Sequence, residues 1–191
     1  MVDYELPISD LANRQARLQS LASFLCPSDS ADLFFDLRSD HSPKTVLIRL
    51  PTANYVGVFG TVELDECEGL LVGTICRGDG AFYHLSETRF RDFTDGLSHT
   101  AIVGERSSRK GHSTWMGVVP GGEEAMARIL GVTDHSPNYE LGHLDDFRGE
   151  HPGGANFVFG DGSARFVPND IDAVVYRASA TINGGELNTE R

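Results

Sequence analysis

His135, His143 and His151 fall at even spacing along the chain, with Asp134, Asp145, Asp146 and Glu150 interleaved. Imidazole nitrogen and carboxylate oxygen together are a donor set for zinc or another transition metal. The spacing matches no compact ligand motif, so the same residues also read as a solvated acidic loop. Calcium asks for several oxygens instead, and Asp145, Asp146 and Asp161 with nearby carbonyls supply them. The candidate metal ligands are thus Asp145, Asp146, His151 and Asp161, with calcium taking the aspartate oxygens, and no cofactor is required by these residues. His151 has a second reading as a structural tie, its imidazole bonded to a backbone carbonyl or to Asp161.

The residue types that support nucleophilic or phosphoryl chemistry do not assemble into a motif. There is no Gly-x-Ser-x-Gly elbow, Cys26 runs straight into Pro27 without a visible His partner, and no phosphate-cradling glycine loop opens a helix. Gly121-Gly122 does precede a helical pattern, but Glu123 and Glu124 would repel a phosphate. Asp92 with Asp95, or Asp145 with Asp146, are paired carboxylates in sequence, which does not set the separation that glycoside chemistry needs. The expectation is a protein that is not an enzyme, with a metal-dependent hydrolase ranked behind two non-catalytic readings. Trp115, the single tryptophan, reads as core; exposed together with Tyr139 it would mark a carbohydrate- or polymer-binding surface.

These residues must be positioned by sheet and loop. Phe157-Val-Phe-Gly-Asp-Gly-Ser-Ala-Arg-Phe166 reads as a β-hairpin with a two-residue type I′ turn at Asp161-Gly162. That turn would pair Phe157 with Phe166 and Phe159 with Ala164, placing Phe157, Phe159, Ala164 and Phe166 on one apolar face. Leu11, Leu18, Leu21, Ala22 and Leu25 predict an amphipathic helix over 9–25, capped by Ser9 or Asp10 and stopped by Pro27. Residues 46–62, 81–93 and 100–104 carry the β-branched and aromatic content of short strands. Residues 123–130 read as a short helix ended by Gly131, and 171–178 as another, capped by Asn169 or Asp170. Between 132 and 154 no periodicity survives, so a long loop is expected.

Composition bounds the rest. A chain of 191 residues with 21 glycines and a net charge of −12 fits one turn-rich α+β domain spanning 1–191. The acidic balance excludes nucleic acid as a partner, since phosphate binding needs a clustered basic surface. The one basic cluster, 106–110, reads as a solvated loop. No apolar run reaches the roughly 18 residues of a membrane-spanning helix, and the first residues lack the pattern of a signal peptide. As written the chain reads as soluble. Among three cysteines, Cys67 and Cys76 form a bridge or stay independent thiols, which leaves the redox compartment open.

Beyond these local readings, four blocks in order resemble the prepilin-like proteins that end in an "H-X9-DG" domain, of the domain-of-unknown-function 1559 type. His151 and Asp161-Gly162 reproduce that spacing, with Gly153-Gly-Ala-Asn156-Phe between them. Phe24-Leu-Cys26-Pro-Ser-Asp29 resembles the family's Cys-Pro-Ser-Asp element. Asp95-Gly96-Leu-Ser-His99 through Gly104-Glu105 is similar to its Asp-Gly-x-Ser-Asn…Gly-Glu element, with His99 where the family shows Asn. Ala180-Thr-Ile-Asn-Gly-Gly-Glu186 resembles the usual ending. The resemblance implies a pilin- or pseudopilin-like head, α+β, with an antiparallel sheet, short helices and long loops. It implies a non-enzymatic part of a type II secretion or type IV pilus-like assembly in the cell envelope or outside the cell. Its partners would be other pilin-like or secretion-system subunits. The family's hydrophobic N-terminal helix is missing from the sequence, and membrane contact would come only through it. The alternative is an extracytoplasmic module binding a polysaccharide or small solute.

Overall fold

Strands form where the β-branched and aromatic residues cluster, and they do so in two sheets. The computed structural model describes residues 2–67 and 74–185. Phe34–Arg38 (β1) and Val46–Pro51 (β2) pair antiparallel as one sheet. The second sheet is built from Tyr55–Gly60 (β3), Ala101–Glu105 (β4), Leu130–Val132 (β5), Gly154–Phe159 (β6) and Ala164–Pro168 (β7), in the order β5-β3-β4-β6-β7. Every pairing is antiparallel except β3 with β5. Two short α-helices, Arg14–Arg17 (α1) and Ala173–Ala178 (α2), and several 3-10 turns complete an α+β architecture.

β3 carries the core to both faces of its sheet, because successive side chains point to opposite sides. Val56 and Val58 pack with Phe147, Phe157, Phe159 and Tyr176 on one side. Phe59 packs with Leu64, Met126, Leu130 and Leu144 on the other. Burial on both faces explains why this stretch is nearly continuously apolar and does not alternate. A third core of Leu37, Ile48, Leu50 and Val119 sits under the small sheet.

The hairpin exists, but in a different register from the one its Asp-Gly pair suggested. Val158 faces Ala164, Phe157 faces Arg165, Asn156 faces Phe166 and Ala155 faces Val167. Gly162 N–H bonds Phe159 C=O at 2.8 Å, and Phe159 N–H bonds Ser163 C=O at 2.9 Å, so three residues close the loop. Gly162 holds φ +82° while Asp161 is not left-handed. Those features describe a type I turn followed by a left-handed bulge residue, not a type I′ pair. The extra loop residue exchanges the faces of β7. Ala155, Phe157, Phe159 and Val167 are buried together, whereas Ala164 and Phe166 are exposed.

Two expected helices also change. The N-terminal pattern yields a 3-10 turn at Leu11–Asn13, the four residues of α1 and a second 3-10 turn at Ala22–Phe24. Its leucines at 11 and 21 are exposed, so the stripe has no core to bury against, and short helices need tertiary packing to persist. Asp10 does cap, accepting from Ala12 N–H at 2.8 Å. Residues 123–129 form turns, with Glu124 at φ +50°, and lead into β5. In α2 the cap is Asp172 and not Asn169 or Asp170.

The long expected loop from 132 to 154 begins at the last residue of β5 and carries no further strand before β6, yet it buries Leu144, Asp145, Asp146 and Phe147. Arg106, expected in a solvated basic loop, is 2% exposed, and Ser107 is also buried. Arg109 and Lys110 keep the exposure expected of the cluster. Cys67 and Cys76 form a disulfide with their Cα atoms 5.5 Å apart, resolving the alternative that their sequence left open. No helix among the described residues is long and apolar enough to cross a membrane. Glu186 of the C-terminal block lies outside the described residues.

Candidate functional site

The blocks that stand far apart in sequence meet at the end of β4. Cys26 follows the 3-10 turn at Ala22–Phe24, and its N–H bonds the Oδ1 of Asn54 at 2.9 Å. Asn54 turns its Nδ2 to Asp29 Oδ2 at 2.6 Å and to the carbonyl of Arg106 at 3.1 Å. Asp29 also accepts from Ser108 N–H at 2.7 Å and from Ser108 Oγ at 2.8 Å. The Cys-Pro-Ser-Asp turn is thereby pinned to the chain leaving β4.

Glu105 ends β4 and is 1% exposed. Its Oε2 accepts from the backbone N–H of Asn156 at 3.0 Å and from Asn156 Nδ2 at 3.1 Å. Its Oε1 lies 3.0 Å from His151 Nε2, and that same nitrogen lies 3.6 Å from Cys26 Sγ. Gly149 leaves room for this carboxylate, since a Cβ there would stand 2.8 Å from Oε2. Burial pushes the Cys26 thiol up, and its hydrogen bond with Glu105 adds to this. Burial likewise raises Tyr55, which neighbours Cys26 and Glu105. The expected absence of a His partner for Cys26 is thus corrected, and the structural tie of His151 goes to Glu105, not to Asp161.

This geometry differs from a nucleophile relay. In a Cys-His-carboxylate relay one ring nitrogen faces the nucleophile and the other faces the carboxylate. Here Nε2 faces both, so three donor atoms of different chemistry converge on one point, each within 4.8 Å of the others.

A second group forms around His135. Its Nδ1 is 3.1 Å from Asp134 Oδ2 and 3.2 Å from Asp146 Oδ1, and its ring stacks on Tyr139 at 4.6 Å. Asp146 Oδ2 accepts from His143 N–H at 2.6 Å. Burial raises Asp146 to about 6, helped by its hydrogen bond with Asp134. Burial and the same neighbour raise Glu63 to about 7. For Asp134, burial pushes upward but is outweighed by hydrogen bonds from Asp146 and Glu63, and the net shift is down. Burial lowers His135, and the charges of Asp146 and Asp134 overcome this and raise it.

The expected ligands are therefore divided. His151 belongs to one group and Asp146 to the other, while Asp145 is in neither. Asp161 is exposed at the hairpin tip and accepts from Ser163 N–H at 2.9 Å and Ser163 Oγ at 2.6 Å, within its own turn. Asp95, beside Gly96 at φ +96°, accepts from Gly184 N–H at 2.7 Å and Gly185 N–H at 3.0 Å, joining its block to the C-terminal one. Glu105, Asn54 and Arg106 were not singled out from the sequence as site residues. The Gly-Glu element and its place after a strand were the available signal for Glu105.

Trp115 is half-buried and stacks on Phe24 with ring centres 5.9 Å apart. Together with Tyr55, Phe82 and Met126 they line an apolar cleft of about 330 Å³. The Nε1 of Trp115 is buried without a hydrogen-bond partner.

A family model described as "Protein of unknown function (DUF1559)" matches residues 1–174. No curated protein and no solved structure matches the chain.

Proposed function

We propose that this chain, which belongs to the DUF1559 family, is a non-enzymatic assembly subunit of the cell envelope, similar in kind to a type II secretion pseudopilin or type IV pilin-like protein. One observation carries the reading. Three acids of the signature blocks hold segments distant in sequence: Asp29 holds Ser108 just past the Gly-Glu block, Glu105 holds Asn156, and Asp95 holds Gly184 and Gly185. Residues arranged this way hold a shape for presentation to partners. The Cys67–Cys76 disulfide suits an oxidising compartment. In cells producing the full-length gene product, thiol trapping on fractions should find Cys67 and Cys76 blocked and the protein in the envelope. A photo-crosslinker at the exposed Phe166 should give adducts with other pilin-like subunits. Recovery from the cytosol with both thiols alkylated, or turnover of ester, peptide or glycoside substrates by the purified chain, would refute it.

The cleft beside Trp115 favours a second reading, an extracytoplasmic binding module. Aromatic faces stack on apolar faces of sugars, and a buried indole N–H lacking an acceptor can be satisfied by a ligand oxygen. Trp115 is the only tryptophan, so its fluorescence reports the cleft directly. A saturable change on titration with oligosaccharides would support binding there, and an unchanged spectrum across the series would reject it.

A further inference from the structure

We propose that Cys26, Glu105 and His151 bind one zinc ion, independently of the assembly reading. The donors are a thiolate sulfur, a carboxylate oxygen and an imidazole nitrogen, all ordinary zinc ligands. Tetrahedral zinc with its usual bond lengths sets sulfur and nitrogen ligands about 3.5 Å apart, and nitrogen and oxygen ligands about 3.3 Å apart. The observed separations are 3.6 Å for Cys26 Sγ to His151 Nε2 and 3.0 Å for Nε2 to Glu105 Oε1. Both separations lie within a few tenths of an ångström of those values, and the three donor atoms lie within 4.8 Å of one another.

The surroundings are those a metal ligand has. Glu105 divides its oxygens: Oε1 faces the other two donors, and Oε2 is held by the backbone and side-chain N–H groups of Asn156. Such outer partners fix the orientation of a ligating carboxylate. Charge also balances, since a thiolate, a carboxylate and Zn²⁺ sum to zero. Among the described residues the one ion-pair partner of Glu105 is His151, and the ion adds positive charge beside this buried carboxylate. On binding, the thiol proton leaves to solvent and His151 carries its remaining ring proton on Nδ1. The His151 side chain is 33% exposed, which provides an entry path and room for a water as fourth ligand.

The ligand set can be read spectroscopically, because Cys26 is the one free thiol once Cys67 and Cys76 are bridged. The full chain, prepared without reductant and stripped by chelation, is titrated with Co²⁺ and then Zn²⁺. One equivalent of cobalt should produce thiolate-to-cobalt charge-transfer absorption that zinc displaces. Cys26→Ser should abolish that band. His151→Ala should weaken zinc binding by more than about 100-fold, and Asn156→Ala, which removes an outer partner only, by about 10- to 100-fold. Circular dichroism verifies that the His151→Ala chain is folded. Absence of the thiolate band in the unaltered chain overturns the proposal, as does a folded His151→Ala chain that binds zinc with unchanged affinity.

Discussion

Arg106 is a guanidinium enclosed by main-chain oxygens. It donates to the carbonyls of Asp146 at 3.3 Å, Leu130 at 2.8 Å and Asp145 at 2.6 Å, and to that of Ala127. Burial lowers its pKa to about 10, which leaves it charged at neutral pH. Arg106→Leu removes this donor from all four carbonyls, of which that of Asp145 keeps the Val132 N–H at 3.0 Å, and each buried group left unsatisfied costs about 1–3 kcal/mol. Urea unfolding should therefore show a loss of at least about 3 kcal/mol. Arg106→Lys should recover only part, since an ammonium cannot span the same acceptors. A Lys variant as stable as the parent would contradict this account. The sequence could not show it, because Arg109 and Lys110 make the stretch look solvated and the acceptors lie 21 to 40 positions away. Glu105 was hidden for the same reason: its partners come from positions 46 and 51 residues further along. The acidic group makes a pH prediction. Asp146 is raised from 3.8 to about 6 and Glu63 from 4.5 to about 7. The folded protein thus retains protons that the unfolded chain releases from about pH 4 upward, so stability falls as pH rises through about 4 to 7. His135, raised above 6.5, acts in the same direction. Asp134, lowered from 3.8, acts oppositely and only in the acid range below that window. The melting temperature should be higher near pH 5.5 than near pH 7.5, and Asp146→Asn should flatten the slope; a rising profile would contradict the assignment.

At the scale of elements, the hairpin was legible and its register was not. Asp-Gly announces a turn, but whether two or three residues close it depends on which carbonyl receives the Gly162 N–H. Here Phe159 receives it, and Arg165 stacks over the Phe159 ring at 4.1 Å. Gly162 sits at φ +82° with open space where a Cβ would be, so Gly162→Val meets backbone strain and no collision. That strain should cost about 1 kcal/mol and lower the melting temperature. An unchanged melting temperature would contradict the left-handed bulge. The N-terminal leucines misled for another reason: helical spacing states which face would be buried, not whether a core exists to receive it. β5 escaped notice because three residues carry no period, and its membership in the sheet rests on parallel pairing with β3. By contrast α2 was readable, since its apolar run and local hydrogen bonds lie within a few positions, although its cap is Asp172 and not the expected Asn169 or Asp170.

At the scale of the whole molecule, composition foretold an α+β chain rich in turns, because glycine and short apolar runs act wherever they occur. The disulfide belongs to this scale too. It joins residues separated by 9 positions, and closing a loop of that size stabilises by about 2–3 kcal/mol through the unfolded chain. Reduction should shift the denaturant midpoint downward accordingly, and a midpoint indifferent to reductant would show that the bridge constrains nothing. The order β5-β3-β4-β6-β7 has one more consequence. Its outermost strands are poor templates for adding a further strand: β5 is only 3 residues long, and β7 carries Arg165 and terminates at Pro168. Short, charged and proline-ended margins discourage sheet continuation between molecules. Addition of a second copy along either margin of the larger sheet is therefore disfavoured.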